Sequence, residues 1–277
     1  MTARPFFIVS SGRSGTAMLH KAFSALPGVE MHHEYMVQIS QPLAVKRYLG
    51  LTGADDCRRV LAETHGAAIH YSDAGHWGDS SNKLSWLIPD LASLFPDALF
   101  VHLVRDGRKV ASSYFHKLGD ECYDDRSTAI LQAHFDDPGV PAPPPEKKYW
   151  WPLPRQGSAD AASFRKFSQF ERIAWHWAEL NRVVLEDLSR LPPERSLFAR
   201  LEDLRESPVA AQGLYDFLNL PYPGKGGQEG AFARPHNVNR PEDRLLDEEQ
   251  RDAFEAIAGR MQAQLGYAGR PEYVVNY

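Results

Sequence analysis

The strongest pattern of hydrophobic and polar positions lies near the start of the chain. Residues 6–9 are four consecutive apolar residues, which is typical of a buried strand. Apolar residues then recur at helical spacing from Met18 to Leu26. A short polar segment with two glycines, Gly12 and Gly15, separates the two patterns. This stretch therefore predicts a strand, a tight turn and a helix.

A second unit of the same kind follows at residues 98–118. Residues 98–104 form a nearly continuous apolar run, as expected of a parallel strand that is covered on both faces. A charged turn at 105–108 leads into a predicted helix over 109–118. Two such units predict an α/β fold, with one domain over residues 1–277 and a central parallel sheet flanked by helices. Ligands of such sheets bind at the carboxyl ends of the strands.

The rest of the chain shows shorter and weaker patterns. They predict strands at 29–35, 67–71 and 196–201, and a polar loop at 72–82. They predict helices at 42–49, 55–64, 84–94, 164–191, 208–218 and 247–266.

Residues 119–162 form a proline-rich insertion that we predict to be irregular. An insertion of this length in a compact domain is typical of a lid or a mobile loop. Tyr149, Trp150 and Trp151 lie near its end. We predict that this aromatic triplet folds over a substrate and contacts it. The alternative is that the rings only fix the loop to the protein surface.

Composition narrows the classes of partner. The chain has 31 Lys and Arg against 36 Asp and Glu, and a net charge of −5 argues against a nucleic-acid partner. Cys57 and Cys122 are too few for a disulfide framework or a zinc site. No apolar run approaches membrane-spanning length, and no signal-peptide pattern precedes the first strand. We therefore expect a cytoplasmic protein with no membrane partner.

The turn at residues 10–17 has the features of an anion site. Backbone N–H groups converge at such a turn, and the positive end of a helix dipole lies beneath it. A P-loop that binds a triphosphate reads G-x-x-x-x-G-K-[ST]. Here Ser10, Thr16 and Ala17 replace the first glycine, the lysine and the magnesium-binding hydroxyl. The turn can hold a 5′-phosphate, but it lacks the groups for a triphosphate with magnesium.

This turn resembles the 5′-phosphosulfate loop of sulfotransferases that use 3′-phosphoadenosine 5′-phosphosulfate (PAPS). The sequence from Arg13 to Thr16 reads arginine-serine-glycine-threonine, as in the tyrosylprotein-sulfotransferase-like branch. The resemblance implies PAPS as donor, 3′-phosphoadenosine 5′-phosphate (PAP) as product, and no metal. It also implies that the loop binds the cofactor through Ser11, Gly12, Arg13, Ser14, Gly15, Thr16 and Ala17.

The resemblance extends to the rest of the nucleotide. It assigns the 3′-phosphate to Arg105 and Ser113, at the end of the second strong strand and on the following helix. Lys117 lies where the tyrosylprotein branch has a further phosphate-binding arginine. Arg234 and Asn237 lie where the family closes a loop over the nucleotide.

Catalytic residues are also implied by the resemblance. Lys83 corresponds to the lysine that contacts the transferring sulfuryl group. The cytosolic branch has a histidine base two residues later, but that position is Ser85 here. Glu34 matches the base of the tyrosylprotein branch. His32 and His33 are rival bases and candidate acceptor contacts.

The resemblance implies metal-free, in-line transfer of a sulfuryl group from PAPS to an acceptor hydroxyl. Arg13 and Lys83 would stabilise the charge that develops on the sulfuryl oxygens and the bridging oxygen. The acceptor would be a small molecule, a sugar or glycan, or a phenol. Two alternatives remain: an ATP-dependent small-molecule kinase and a nucleotide-binding protein without catalysis.

Overall fold

The computed structural model describes residues 3–137, 139–224 and 246–272. Its sheet has five strands in the order β2-β3-β1-β4-β5. All four neighbouring pairs are parallel, which confirms the predicted α/β class with a central parallel sheet. The strands are β1 (Arg4–Val9), β2 (Val29–His33), β3 (His76–Ser80), β4 (Leu99–Val104) and β5 (Ser196–Arg200).

Helices connect and flank the strands. In the described residues they are α1 (Thr16–Ser24), α2 (Val37–Tyr48), α3 (Ala54–Leu61), α4 (Ala67–Tyr71), α5 (Ile88–Leu94), α6 (Gly107–Lys117), α7 (Asp125–Asp136), α8 (Ala161–Phe164), α9 (Gln169–Leu188), α10 (Leu201–Glu206), α11 (Pro208–Leu218) and α12 (Glu248–Gln264). Short 3₁₀ turns occur at Leu84–Trp86, Lys147–Tyr149 and Pro193–Arg195.

Contacts divide the chain into two compact units. The first comprises the described residues of Met1–Met36, Ala54–Arg105 and Val183–Val238, and it contains all five strands. The second comprises those of Val37–Gly53, Asp106–Arg182 and Asn239–Tyr277, and it is helical. The single domain with a lid at 119–162 stays a prediction.

The core of the first unit explains why β1 and α1 form where they do. The apolar residues of both elements meet in one buried cluster. Phe6 of β1 packs edge-on against Phe23 of α1, with ring centroids 5.9 Å apart. Phe23 in turn packs against Tyr215 of α11 at 5.2 Å. Burial of one such aromatic side chain contributes about 1.5–3 kcal/mol, so this face of the sheet fixes the position of α1.

The prediction of a loop at 72–82 was wrong, because β3 lies there between β2 and β1. Its sequence does not look like a central strand, since the buried positions include Asp79 and Ser80. Gly78 is also required, because a Cβ at that position would overlap the Phe6 ring and the Met31 side chain. β3 therefore has close packing and buried polar groups where most parallel strands have an apolar run.

Three other predicted elements differ from the structure. The predicted strand at 67–71 is helix α4, which continues from α3 through a π turn at Ala62–Gly66. The alanines there favour helix over strand. Helix α2 begins at Val37 and contains Pro42, which we had placed at its start. Helix α7 lies inside the insertion predicted to be irregular, and the Asp124 side chain caps it.

The second unit has its own aromatic core. Trp177 of α9 packs against Phe254 of α12, with ring centroids 5.7 Å apart. Gly107 begins α6, and a Cβ there would lie 2.6 Å from the Phe254 ring and 2.7 Å from the Trp177 ring. Glycine therefore allows the start of α6 to approach these rings. None of the helices in the described ranges is both long and apolar enough to cross a membrane.

Candidate active site

The turn between β1 and α1 has an unusual backbone conformation. Gly12, Arg13 and Gly15 all adopt left-handed conformations, with φ of 78°, 54° and 96°. Successive N–H groups in such turns point into one concave site that suits an anion. Thr16 and Ala17 begin α1, and the first N–H groups of a helix have no partner within the helix. This backbone conformation at the carboxyl end of β1 is compatible with the predicted anion site, which stays a prediction.

Serine hydroxyls stabilise this turn from within. The Gly12 N–H donates to Ser10 Oγ at 3.0 Å, and Ser14 Oγ donates to the Gly12 carbonyl at 3.0 Å. Ser11 Oγ lies 3.2 Å from Ser14 Oγ. Ser11 and Ser14 are buried, so their hydroxyls help to hold the loop in its shape.

Ser85 holds the end of β1 in place. Its hydroxyl donates to the Ser10 carbonyl and accepts from the Ser10 N–H, both at 2.9 Å. The side chain is fully buried. The residue at the position of the cytosolic branch's histidine is thus bonded to the phosphate-type loop. Sequence reasoning treated Ser85 only as a missing base, and nothing in the sequence indicates its contact with Ser10.

Lys83 and Glu34 meet at the carboxyl ends of β3 and β2. Lys83 Nζ donates to Glu34 Oε1 at 3.0 Å and to Asn82 Oδ1 at 2.6 Å. The side chain of Lys83 is 7% exposed and that of Glu34 is 19% exposed. Opposite charges at this distance and burial interact more strongly than on an open surface. The structure thus brings together the two residues to which we assigned sulfuryl contact and proton transfer.

The two candidate histidines have different surroundings. His33 Nδ1 lies 2.8 Å from the Ser80 carbonyl, which can only accept, so Nδ1 carries a hydrogen and Nε2 has the lone pair in the neutral ring. His32 Nε2 lies 2.8 Å from Glu30 Oε1, and its ring packs against Trp77 at 4.9 Å. His33 is the more exposed of the two. Both histidines stay rival bases.

Burial and hydrogen bonds shift the pKa values of two groups beside these histidines. Burial, together with the nearby His33, lowers the pKa of His20 on α1. Burial alone would raise the pKa of Glu30, but hydrogen bonds from Ser72 and His32 hold it below its ordinary value. Glu30 is therefore an anion that fixes His32, while His20 favours its neutral form beside His33.

Arg105 and Leu201, which follow β4 and β5, lie against the loop from the side of β1 opposite to β3. Arg105 extends from the end of β4, and its Nη1 donates to the Arg13 carbonyl at 3.0 Å. Leu201 packs so closely on the loop that a Cβ at Gly15 would lie 2.7 Å from Leu201 Cδ1. The contact of Leu201 with the loop is aliphatic.

The remaining predicted site residues lie elsewhere. Ser113 and Lys117 are on α6 in the second unit, where Ser113 is buried and Lys117 is half-buried. Trp150 and Trp151 are buried in that unit, and their indole N–H groups donate to the carbonyls of Pro144 and Glu121. Tyr149 is half-buried. Arg234 and Asn237 lie outside the described residues.

Taken together, the first unit offers an anion cradle with Arg13 and Arg105 beside it and an ammonium–carboxylate pair at the adjacent strand ends. Cationic and N–H groups of this kind can bind an oxyanion, and the carboxylate can accept a proton beside it. Among the residues that the structure describes, no cluster of three His, Cys, Asp or Glu side chains is placed to hold a metal ion.

Comparison with known proteins identifies a family for part of the chain. Residues 5–137 match the model described as "Sulfotransferase family". This part of the chain belongs to the sulfotransferase family. It contains the loop, both members of the Lys83–Glu34 pair and Arg105, which supports the resemblance drawn from the sequence motifs. The assignment to the tyrosylprotein-like branch stays a prediction.

Solved sulfotransferase structures share the fold. A sulfotransferase from Alicyclobacillus acidocaldarius is similar over 98% of this chain and 98% of its own, with 16% identity and a TM-score of 0.53. The sulfotransferase domain of the Synechococcus PCC 7002 olefin synthase is similar over 94% of this chain and 95% of its own, with 14% identity and a TM-score of 0.50. A search of curated protein sequences gave no significant match.

Proposed function

We propose that this protein is a PAPS-dependent sulfotransferase that moves a sulfuryl group to an acceptor hydroxyl without a metal ion. The observation that carries the proposal is the Lys83–Glu34 pair, with 3.0 Å between Nζ and Oε1, at the same end of the sheet as the loop after β1. A nucleotide-binding protein without catalysis has no need of a buried ammonium beside a carboxylate at that position.

The loop itself argues against the kinase alternative. A nucleotide kinase of the P-loop type uses a lysine on the outer phosphates and a hydroxyl on magnesium. Thr16 and Ala17 occupy those positions here. The left-handed Gly12, Arg13 and Gly15 still form a cradle for a 5′-phosphate, so the residues present fit PAPS better than ATP with magnesium.

PAPS, when bound, supplies an activated sulfuryl group, and the side chains position it and stabilise charge. Arg13 and the N–H groups of the loop hold the 5′-phosphosulfate, and Arg105 reads the 3′ side of the nucleotide. Lys83 stabilises the negative charge that develops on the leaving oxygen. Glu34 takes the proton of the acceptor hydroxyl as the new bond to sulfur forms.

The acceptor class follows from the chemistry of the base. A carboxylate that removes a hydroxyl proton serves phenols, sugars and aliphatic alcohols alike, so we propose a small-molecule or glycan hydroxyl as acceptor. His32, His33 and the triplet Tyr149, Trp150 and Trp151 remain predicted acceptor contacts. A cytoplasmic location also remains a prediction.

Calorimetric titration tests the nucleotide. PAP should bind more tightly than ADP with magnesium, and added EDTA should leave PAP binding unchanged. Preference for ADP with magnesium would refute the sulfotransferase proposal in favour of a kinase. Transfer of radioactive sulfate from labelled PAPS to a panel of phenols, sugars and alcohols then tests catalysis. PAP binding without transfer to any acceptor on a broad panel would favour the binding-protein alternative.

A further inference from the structure

A buried carboxylate that the proposed reaction does not use lies next to the turn that carries Glu34. Asp79 is on β3, where it is in register with His32 of β2 and Phe7 of β1. The residue is 0% exposed. A buried carboxylate is costly unless it is paired or hydrogen-bonded, so its partners indicate its role.

The first partner is the backbone of the Glu34 turn. The Tyr35 N–H lies 3.3 Å from each carboxylate oxygen of Asp79, and the Glu34 N–H donates to the Ser80 carbonyl at 3.2 Å. Glu34 and Met36 have φ of 57° and 49°, in the left-handed region that residues other than glycine rarely adopt. Asp79 and Ser80 of β3 thus bind the backbone of the strained turn that carries the proposed base, Glu34.

The second partner is His65, in the π turn between α3 and α4. Its Nε2 lies 3.7 Å from Asp79 Oδ2, and the two side chains are 1% and 0% exposed. Within the part of the chain that the structure describes, this Nε2 has no hydrogen-bond partner. The Tyr35 ring packs edge-on against His65, with centroids 5.3 Å apart. π turns inside helices often occur at functional sites.

The Thr64 hydroxyl orients the His65 ring toward Asp79. Thr64 Oγ1 donates to the Val60 carbonyl at 2.8 Å, and His65 Nδ1 lies 3.1 Å from the same oxygen. The opposite edge of the ring therefore faces the carboxylate, with Nε2 3.7 Å from Oδ2. That distance is longer than a hydrogen bond, so the contact is close packing of two buried polar groups.

We propose that His65 and Asp79 are a positioning pair, in which the buried His65 ring fixes the Asp79 carboxylate and the carboxylate holds the Glu34 turn through the Tyr35 N–H. The pair touches neither donor nor acceptor. This inference rests on the proposed role of Glu34 as base, because the pair changes turnover only by changing the position of the Glu34 carboxylate. A misplacement of about 1 Å at a catalytic group can cost about 10²-fold in rate.

Paired substitutions test these contacts. Asp79→Asn keeps an oxygen for the Tyr35 N–H and a polar group of the same shape beside His65 Nε2, so it should reproduce both contacts. Asp79→Leu and His65→Leu remove the polar groups, whereas His65→Gln keeps a polar side chain. Leu91→Ala, at a fully buried position on α5, is the control for a general loss of stability.

Three quantities are measured for each variant: amide hydrogen exchange at Tyr35 by NMR, the Kd for PAP by calorimetry, and kcat and KM. We expect Asp79→Leu and His65→Leu to speed Tyr35 exchange at least about 10-fold relative to the amides of β1. We expect them to lower kcat by about 10- to 100-fold with the Kd for PAP within about 3-fold. Asp79→Asn and His65→Gln should stay within about 3-fold of the parent in every quantity.

Asp79→Asn decides the outcome even if the leucine variants fail to fold. A well-folded Asp79→Asn with fast Tyr35 exchange, or with a kcat as low as a leucine variant, would overturn the pair. So would an unchanged Tyr35 amide in a folded Asp79→Leu or His65→Leu. In Leu91→Ala, the exchange rate of the Tyr35 amide should change by the same factor as the rates of the β1 amides. If the parent shows no transfer, the proposed function fails, but Tyr35 exchange still tests the positioning pair.

Discussion

At the scale of single residues, the site depends on where one ammonium and one carboxylate lie. Lys83 and Glu34 are 49 positions apart in sequence and 3.0 Å apart at Nζ and Oε1. The family resemblance could name both residues, because each stands at a position that matches a family motif. Their contact could not be read from the sequence, since it requires the parallel pairing of β2 with β3, and β3 was missed.

Glu34→Gln should lower turnover by at least about 10²-fold, because the amide keeps the shape of the side chain but cannot accept the proton. The affinity for PAP should stay nearly unchanged. Steady-state kinetics and calorimetry measure the two effects. His33→Gln is the matched control, since it removes the rival base one residue away. An active Glu34→Gln beside an inactive His33→Gln or His32→Gln would identify a histidine as the base.

Arg105→Ala should weaken PAP far more than AMP, because only PAP carries the 3′-phosphate assigned to this guanidinium. A charge-assisted hydrogen bond contributes about 1.5–3 kcal/mol, which is roughly 10- to 150-fold in Kd. Arg105 also donates to the Arg13 carbonyl, so a loss common to both nucleotides measures damage to the loop. Equal losses for PAP and AMP would show that Arg105 does not read the 3′ position.

At the scale of elements, the sequence predicted four of the five strands, most strongly the two with continuous apolar runs. β1, β4 and the helices after them follow the expected pattern, because burial on both faces selects apolar residues at every position. β3 was predicted as a loop because two of its buried positions, Asp79 and Ser80, bind polar groups near the site. Gly78 in the same strand leaves space for the side chains of Phe6 and Met31. The elements that depend on tertiary contacts were therefore the ones missed.

Gly78→Ala should destabilise the protein, because its Cβ has no room between Phe6 and Met31. Overpacking of a well-packed core typically costs about 1–3 kcal/mol in the free energy of unfolding. Chemical denaturation measures the change. Gly75→Ala is the control, since a Cβ there would lie 3.7 Å from the nearest atom, the Gly28 carbonyl oxygen. Equal stability of the two variants would mean that β3 does not pack as described.

At the scale of the whole molecule, the proposed donor site carries a local positive charge although the chain has a negative net charge. The chain carries −5 overall, yet the proposed donor is a polyanion, so its attraction must come from a local group of cations. Arg13 and Arg105 are joined through a hydrogen bond, and Lys83 lies at the end of a strand next to β1. Salt screens the long-range repulsion between the negatively charged protein and the donor. It also screens the attraction between the donor and exposed cations. Buried charge pairs are screened less.

The salt dependence of PAP binding separates these contributions. We expect the affinity for PAP to fall by about 3- to 10-fold as NaCl rises from about 0.05 to 0.5 M, since the Debye length shrinks from about 14 Å to about 4 Å. Arg105→Ala should show a shallower dependence, because one half-exposed cation near the loop is gone. Isothermal calorimetry at four salt concentrations measures both slopes. An affinity that rises with salt would mean that repulsion from the acidic surface outweighs the local cations, and the proposed phosphate contacts would then be too weak to define the site.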